Sequence, residues 1–297
     1  MKTNKDIIAF YDSGIGGLTL LNKAVKSFSD YNFLYLGDNL NAPYGNKSRE
    51  ELIELAKLNV KTLISLGAKI ITFACNTLST TIFEDIKKDK LVISSGVTLT
   101  GVVPNKPSND NYILLCTQNT ANSSYVKNNF EKSKVLPLPF LAKEIERFIF
   151  FKDKIHYKLD LALIDKNVSE VILGCTHYNF IKNEIQNVFK NAVVTDGFNQ
   201  ALLDIKNALI GQKSTKTNNN RVTYDHFNNF LSLKVKNSKN TIFFIGNNAK
   251  YNKIVYSKIF KWLLFNKNSL FFIAKTKFFK KSYKKLLKVV ASYQKMC

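Results

Sequence analysis

No apolar run in this 297-residue chain approaches the ~18 uninterrupted residues that a membrane-spanning helix needs. Near the N-terminus, the run from Ile7 to Tyr11 is closed by Asp12 and does not read as a signal peptide. Cysteine is scarce: Cys75, Cys116, Cys175 and Cys297 are too scattered for a disulfide framework. No CxxC pair or second histidine cluster completes a zinc site around Cys75, Cys175 and His177. Arginine is scarcer still, with Arg49, Arg147 and Arg221 the only three among 44 basic residues. Bidentate recognition of phosphate and guanine favours arginine, so a lysine-rich, arginine-poor chain reads as compositional drift rather than as a nucleic-acid reader. These absences lead to the expectation of a cytoplasmic protein with reduced thiols.

A composition of 45% apolar and 22% charged residues is a globular balance, and the length suffices for two cores. The formal charge of +22 is uneven, since residues 226–297 hold sixteen lysines and no acidic residue. Contact of this basic tail with nucleic acid or an anionic membrane is an alternative that the arginine shortage does not favour. Within residues 266–297, Phe278, Phe279, Tyr283, Leu286, Val290 and Tyr293 recur at three- to four-residue spacing among lysines. That pattern predicts an amphipathic basic helix outside the catalytic core.

Five short apolar segments, at residues 7–11, 33–36, 69–74, 112–115 and 170–174, do not alternate with polar residues, as expected of strands buried on both faces. Helical patterns separate them, the clearest at residues 50–66. Ser48 and Glu51 there make a capping-box signature ahead of Leu52, Ile53, Leu55, Ala56, Leu58, Asn59, Leu63 and Leu66. Strand alternating with helix predicts an α/β fold: two similar domains, each a mainly parallel sheet flanked by helices, with the ligand site beyond the carboxyl ends of the strands. The duplication is read from two strand ends. Residues 70–77 and 171–177 each run through an apolar strand, a small residue, a cysteine and then hydrogen-bonding side chains. Cys75 and Cys175 lie 100 residues apart, about one domain, so the two thiols are expected to face each other across a cleft.

A single free cysteine is ordinarily an inert, small hydrophobe. Two in matched polar surroundings suit a reaction whose substrate is nearly symmetric at the reacting atom, namely inversion of a stereocentre. One thiolate removes an α-proton from one face and the opposite thiol returns one. A free thiol titrates near ~8.5, within reach of neutrality if neighbours stabilise the thiolate. Asp12 and His177 are candidates to tune the pair, and Ser13, Asn76, Thr77 and Thr176 to hydrogen-bond the charge that develops. The loop Gly14-Ile15-Gly16-Gly17 is not a dinucleotide fingerprint, because Thr19 stands where a third glycine is needed. Its glycines are expected to let a ligand carboxylate approach the amides of the following helix.

In five separated places these residues resemble the cofactor-independent glutamate racemases. The first is Asp12 to Gly17, and the second is Gly37-Asp38 with Pro43-Tyr44-Gly45. The third is Cys75-Asn76-Thr77, the fourth is Thr117, Thr120 and Ser123, and the fifth is Gly174-Cys175-Thr176-His177-Tyr178. Glu144, after Pro137, and Asp196 fall where the family carries acidic residues, and residues 241–264 are similar to its closing strand and helix. The histidine after Cys175-Thr176 separates the chain from aspartate racemases, which tend to carry glutamate there. Departures are Cys116 for alanine, Leu136 for cysteine, Asn179 for proline and Gly197 for serine.

The resemblance implies that Cys75 acts on D-glutamate and Cys175 on L-glutamate, with Asp12 and His177 assisting. It further implies that Asp12, Ser13, Tyr44, Gly45, Asn76, Thr77, Thr176 and His177 contact the substrate, glutamate. No cofactor, neither pyridoxal phosphate nor metal, is implied, and the D-glutamate enters peptidoglycan. A homodimer is expected. The first domain would comprise residues 1–97 and 208–265, the second 98–207, and a basic extension 266–297. Other readings are a racemase of another acidic amino acid such as aspartate, a thiol hydrolase or redox enzyme using one cysteine, and a non-catalytic anion-binding protein on the same fold.

Overall fold

All five unalternating segments are strands, and each is buried along most of its length, which is why their sequences admit almost no polar residue. The computed structural model describes residues 6–151, 167–214, 231–234 and 241–245. Its strands are β1 (Ile7–Asp12), β2 (Asn32–Gly37), β3 (Ala68–Phe73), β4 (Thr98–Gly101), β5 (Tyr112–Cys116), β6 (Val135–Pro137), β7 (Glu170–Gly174), β8 (Val193–Asp196), β9 (Leu231–Lys234) and β10 (Thr241–Ile245). The helices that bear on the site are α1 (Leu18–Ser27), α2 (Arg49–Ser65), α3 (Asn76–Thr81), α4 (Gln118–Asn122), α5 (Leu141–Phe151) and α6 (Phe198–Ser214).

One sheet runs β4-β3-β1-β2-β10-β9 and the other β6-β5-β7-β8, with every pairing parallel except β10 with β9. The two share a topology. β1 lies between β2 and β3 as β5 lies between β6 and β7, and β4 and β8 flank β3 and β7 in turn. The fold is therefore α/β with two mainly parallel sheets, and the strand order reverses between β1 and β3 in one and between β5 and β7 in the other. Ligands bind at such reversals, beyond the carboxyl ends. The loops found there begin at Asp12, Cys75, Cys116 and Cys175, so the two matched thiols occupy equivalent places after β3 and β7.

Helix α2 realises its capping box: the Glu51 amide donates to Ser48 Oγ at 3.1 Å, and the Ser48 amide donates to Glu51 Oε2 at 2.9 Å. Its buried face is Leu52, Ala56, Val60 and Leu63, which corrects the predicted stripe at Leu58, 63% exposed. Asn59 is polar for a reason. Its Nδ2 donates to Tyr11 Oη at 3.1 Å, inside the network that holds the loop after β2.

The chain crosses between sheets twice. β4 hydrogen-bonds β3, so the first crossing follows Gly101 rather than residue 97. Helix α6 packs on β3 and β4, so the return comes at Gly197 rather than at residue 208. The two crossings touch: a Cβ on Gly197 would stand 1.8 Å from the Val103 carbonyl oxygen. Backbone cannot give way as a side chain can, so the serine usual in the resembled family does not fit here without displacing one crossing. Gly197→Ser is expected to destabilise by about 1–3 kcal/mol, read as a lower melting midpoint.

Residues 246–297 lie outside the described residues. The tail helix and the family's closing helix, expected from the sequence, fall there. Among the described residues, no helix is long and apolar enough to cross a membrane.

Candidate active site

Cys75 follows β3 and precedes the first turn of α3. It is 6% exposed, and its thiol lies 3.8 Å from Ser13 Oγ, on the loop that follows β1. Burial pushes this thiol up to about 12, and the neighbouring Asp12 and Cys175 add to the rise. Cys75 is therefore a protonated thiol at neutral pH.

Cys175 follows β7 at the same 6% exposure, in a different setting. His177 Nδ1 lies 3.9 Å from its sulfur, and His177 Nε2 lies 2.8 Å from Glu146 Oε1 on α5. Burial alone would lower the imidazole. Its hydrogen bonds to Cys175 and Glu146, and their charges, outweigh that and raise it well above the ordinary histidine value. The imidazole thus lies between a sulfur and a carboxylate.

Asp12 joins the two halves. It is fully buried, takes the Gly14 amide on Oδ1 at 2.8 Å, and takes the Thr176 hydroxyl on Oδ2 at 3.3 Å. Burial raises its carboxyl, while His177 and the Gly14 and Gly17 amides act in the opposite sense. Thr77 and Thr117, from opposite sheets, share a hydrogen bond of 3.0 Å, and Thr117 Oγ1 donates to Thr120 Oγ1 at 3.0 Å. The loops of Asp12, Ser13, Cys75, Thr77, Thr176 and His177 are thereby joined in one cluster. Asn76 commits its amide to the Val102 carbonyl at 3.1 Å.

Tyr44 is turned away from this cluster. Its ring is buried, and its hydroxyl is shared between Asp38 and Tyr11. What Tyr44 and Gly45 leave for a ligand is backbone, and Gly45 sits against Thr117, where a Cβ would meet the threonine Cβ at 2.9 Å. Asp196 pairs with Lys182 at 3.1 Å and caps α6 through the Phe198 amide, which is a structural role. Cys116 packs in a core on the other face of its sheet from the core that holds Cys175.

The acidic partner of His177 is Glu146, which the sequence reading did not single out; Glu144 is a neighbour on the same helix. The two are two positions apart on α5 and so face different directions. A histidine beside a cysteine signals the need for a carboxylate on its far nitrogen, but nothing in the local pattern says which. The glycine loop does admit a carboxylate to its amides, but the carboxylate is the protein's own. Glu146 Oε1 accepts from the Ile15 amide at 3.3 Å and lies 2.4 Å from where a Gly14 Cβ would be. Among the described residues, no group of three His, Cys, Asp or Glu is placed to hold a metal ion.

No protein-family model matches the chain. A glutamate racemase of Clostridium novyi is 33% identical over 242 residues, which cover 77% of this chain and 93% of that protein. The crystal structure of glutamate racemase from Thermus thermophilus, in complex with beta-chloro-D-alanine, matches with a TM-score of 0.58 at 26% identity. That match covers 72% of this chain and 84% of the other. A Campylobacter jejuni glutamate racemase structure shares the fold over 86% of this chain and 99% of its own, with a TM-score of 0.63 at 16% identity.

Proposed function

Since the chain belongs to the glutamate racemase family and is accordingly an isomerase, an amino-acid racemase, we propose that it interconverts L- and D-glutamate with Cys75 and Cys175 as its two proton carriers. The observation that carries this reading is the pair of thiols at equivalent strand ends, each with a different partner: a neutral hydroxyl beside Cys75, and an imidazole–carboxylate pair beside Cys175. From L-glutamate, the Cys175 thiolate takes the α-proton. The electron pair stays on carbon, delocalised into the α-carboxylate, and the Cys75 thiol delivers a proton to the opposite face. The high pKa of Cys75 suits it to be the acid in this direction, and His177 stabilises the Cys175 thiolate that begins it. Reversal begins with a thiolate at Cys75 and ends with a thiol there. Each turnover moves a net proton from one sulfur to the other, and exchange with solvent restores the starting state.

Asp12, Ser13, Asn76, Thr77, Thr176 and the backbone of Tyr44 and Gly45 are the groups we assign to substrate, with Asp12 and His177 also assisting proton transfer. No cofactor enters this scheme, and its D-glutamate would supply peptidoglycan. The test is incubation with L-glutamate in heavy water without added cofactor, followed by chiral analysis. The expected product is D-glutamate carrying deuterium at the α-carbon. Turnover only with added pyridoxal phosphate overturns the scheme, and faster turnover of aspartate overturns the choice of substrate.

A further inference from the structure

Asn119 lies on α4, in the second half of the molecule, and reaches back to the first. Its Nδ2 donates to the Tyr44 carbonyl at 3.0 Å and to the Lys47 carbonyl at 2.8 Å. A primary amide nitrogen carries two hydrogens, and both are committed to carbonyls at the two ends of one short turn, Tyr44–Asn46. On its other side the same loop is held by Asp38, which accepts from Tyr44, from Asn41 at 2.9 and 3.0 Å, and from Asn59 at 3.4 Å. The loop is therefore fixed twice: within its own half by the half-buried Asp38 carboxylate, and across the cleft by the Asn119 side chain.

We propose that Asn119 is a positioning residue for glutamate racemisation: it holds the Tyr44–Gly45 backbone where it meets substrate, and it ties the seating of that loop to closure of the cleft. The inference rests on the reading of Tyr44 and Gly45 as substrate contacts. The physical reason is the nature of the loop's contribution. With the Tyr44 hydroxyl committed to Asp38 and Tyr11, the loop can offer only backbone groups, and backbone groups are placed by whatever holds the backbone. Without Asn119, the Lys47 carbonyl loses this donor and the Tyr44 carbonyl keeps only the Lys47 amide at 3.3 Å, a bond within the turn itself, so the loop loses its tie to the other half and no longer keeps one position. The thiols, Asp12 and His177 do not touch Asn119, so the chemical step is left intact once substrate is seated.

The experiment compares Asn119→Ala and the near-isosteric Asn119→Asp with the wild-type enzyme. Its readouts are steady-state kinetics with each enantiomer and hydrogen exchange of the segment 38–47. Asn119→Ala is expected to raise KM about tenfold, the worth of one or two such hydrogen bonds, with kcat within about twofold. Exchange in the segment is expected to accelerate. Asn119→Asp keeps the shape but faces the two carbonyls with a carboxylate, so its KM rises at least as far. That variant decides the matter should the alanine variant fold poorly. Unchanged KM with unchanged exchange in a folded variant overturns the proposal, and so does a fall in kcat at constant KM. Hydrogen exchange requires no turnover. A wild-type protein inactive on glutamate thus refutes the substrate reading, while unchanged exchange in the variants separately refutes the clamp.

Discussion

Cys75→Ala and Cys175→Ala each lose racemisation by at least about a hundredfold, within the ~10²–10⁴ range of a general acid–base group. Yet each variant retains a different half of the chemistry. Cys75→Ala keeps Cys175 with its His177–Glu146 pair, so in heavy water it slowly exchanges the α-proton of L-glutamate without inverting it. Cys175→Ala leaves only the Cys75 thiol beside Ser13, and exchanges the α-proton of D-glutamate. The second exchange is the slower, because Cys75 must first surrender a proton from a thiol pushed up to about 12. Nuclear magnetic resonance of recovered glutamate, resolved by enantiomer, reads both. If either variant keeps more than a tenth of wild-type racemisation, the two-base scheme fails. If both exchange the same enantiomer, the assignment of faces fails. Cys116→Ala is the control: it loses a buried sulfur on the far face of its sheet and keeps activity within about twofold.

Enantiomers have equal free energy, so the equilibrium constant is one and kcat/KM is the same in both directions for every variant. A perturbed His177 therefore reveals itself in how kcat and KM divide, never in a directional kcat/KM. The same identity checks the Asn119 measurement, where kcat/KM must fall equally for both enantiomers.

The elements legible in the sequence were those buried along nearly all of their length. β1, β2, β3, β5 and β7 are enclosed on both faces, so selection for apolar residues left unbroken runs. β6 has three residues, β8 begins at an exposed Val193, and β4 reads Thr-Leu-Thr-Gly, so none carries that signature. The thiols were legible because the fold is duplicated and its copies kept the same punctuation at the same strand end. Glu146 and Asn119 were not. Each acts on a partner 31 or more residues away, Glu146 on the loop after β7 and Asn119 on the turn after β2, and no local pattern encodes which residue of a helix meets a distant loop.

Gly16→Ala, one methyl group, is expected to cost about a hundredfold in kcat/KM in both directions. The methyl carbon would stand 2.5 Å from His177 Nδ1, 2.5 Å from Thr176 Oγ1 and 2.9 Å from His177 Cε1, closer than Cβ atoms come to anything. Neither side chain has room to retreat, with His177 5% and Thr176 2% exposed. His177 would lose its alignment between Cys175 and Glu146, and Thr176 its bond to Asp12. Displacing groups at a reacting centre by about 1 Å costs ~10²-fold, and overpacking adds about 1–3 kcal/mol of instability. Gly211→Ala separates the two effects, because among the described residues no neighbour lies within 4 Å of its added methyl and it sits inside α6. That variant gains about 0.4–1 kcal/mol and leaves kinetics unchanged. The decisive comparison is Gly16→Ala combined with Gly211→Ala. Activity that returns when stability is restored would mean that the methyl acts only on folding. Activity that stays a hundredfold down in a protein melting like wild type places the damage at His177 and Thr176, where the first loop meets the second thiol.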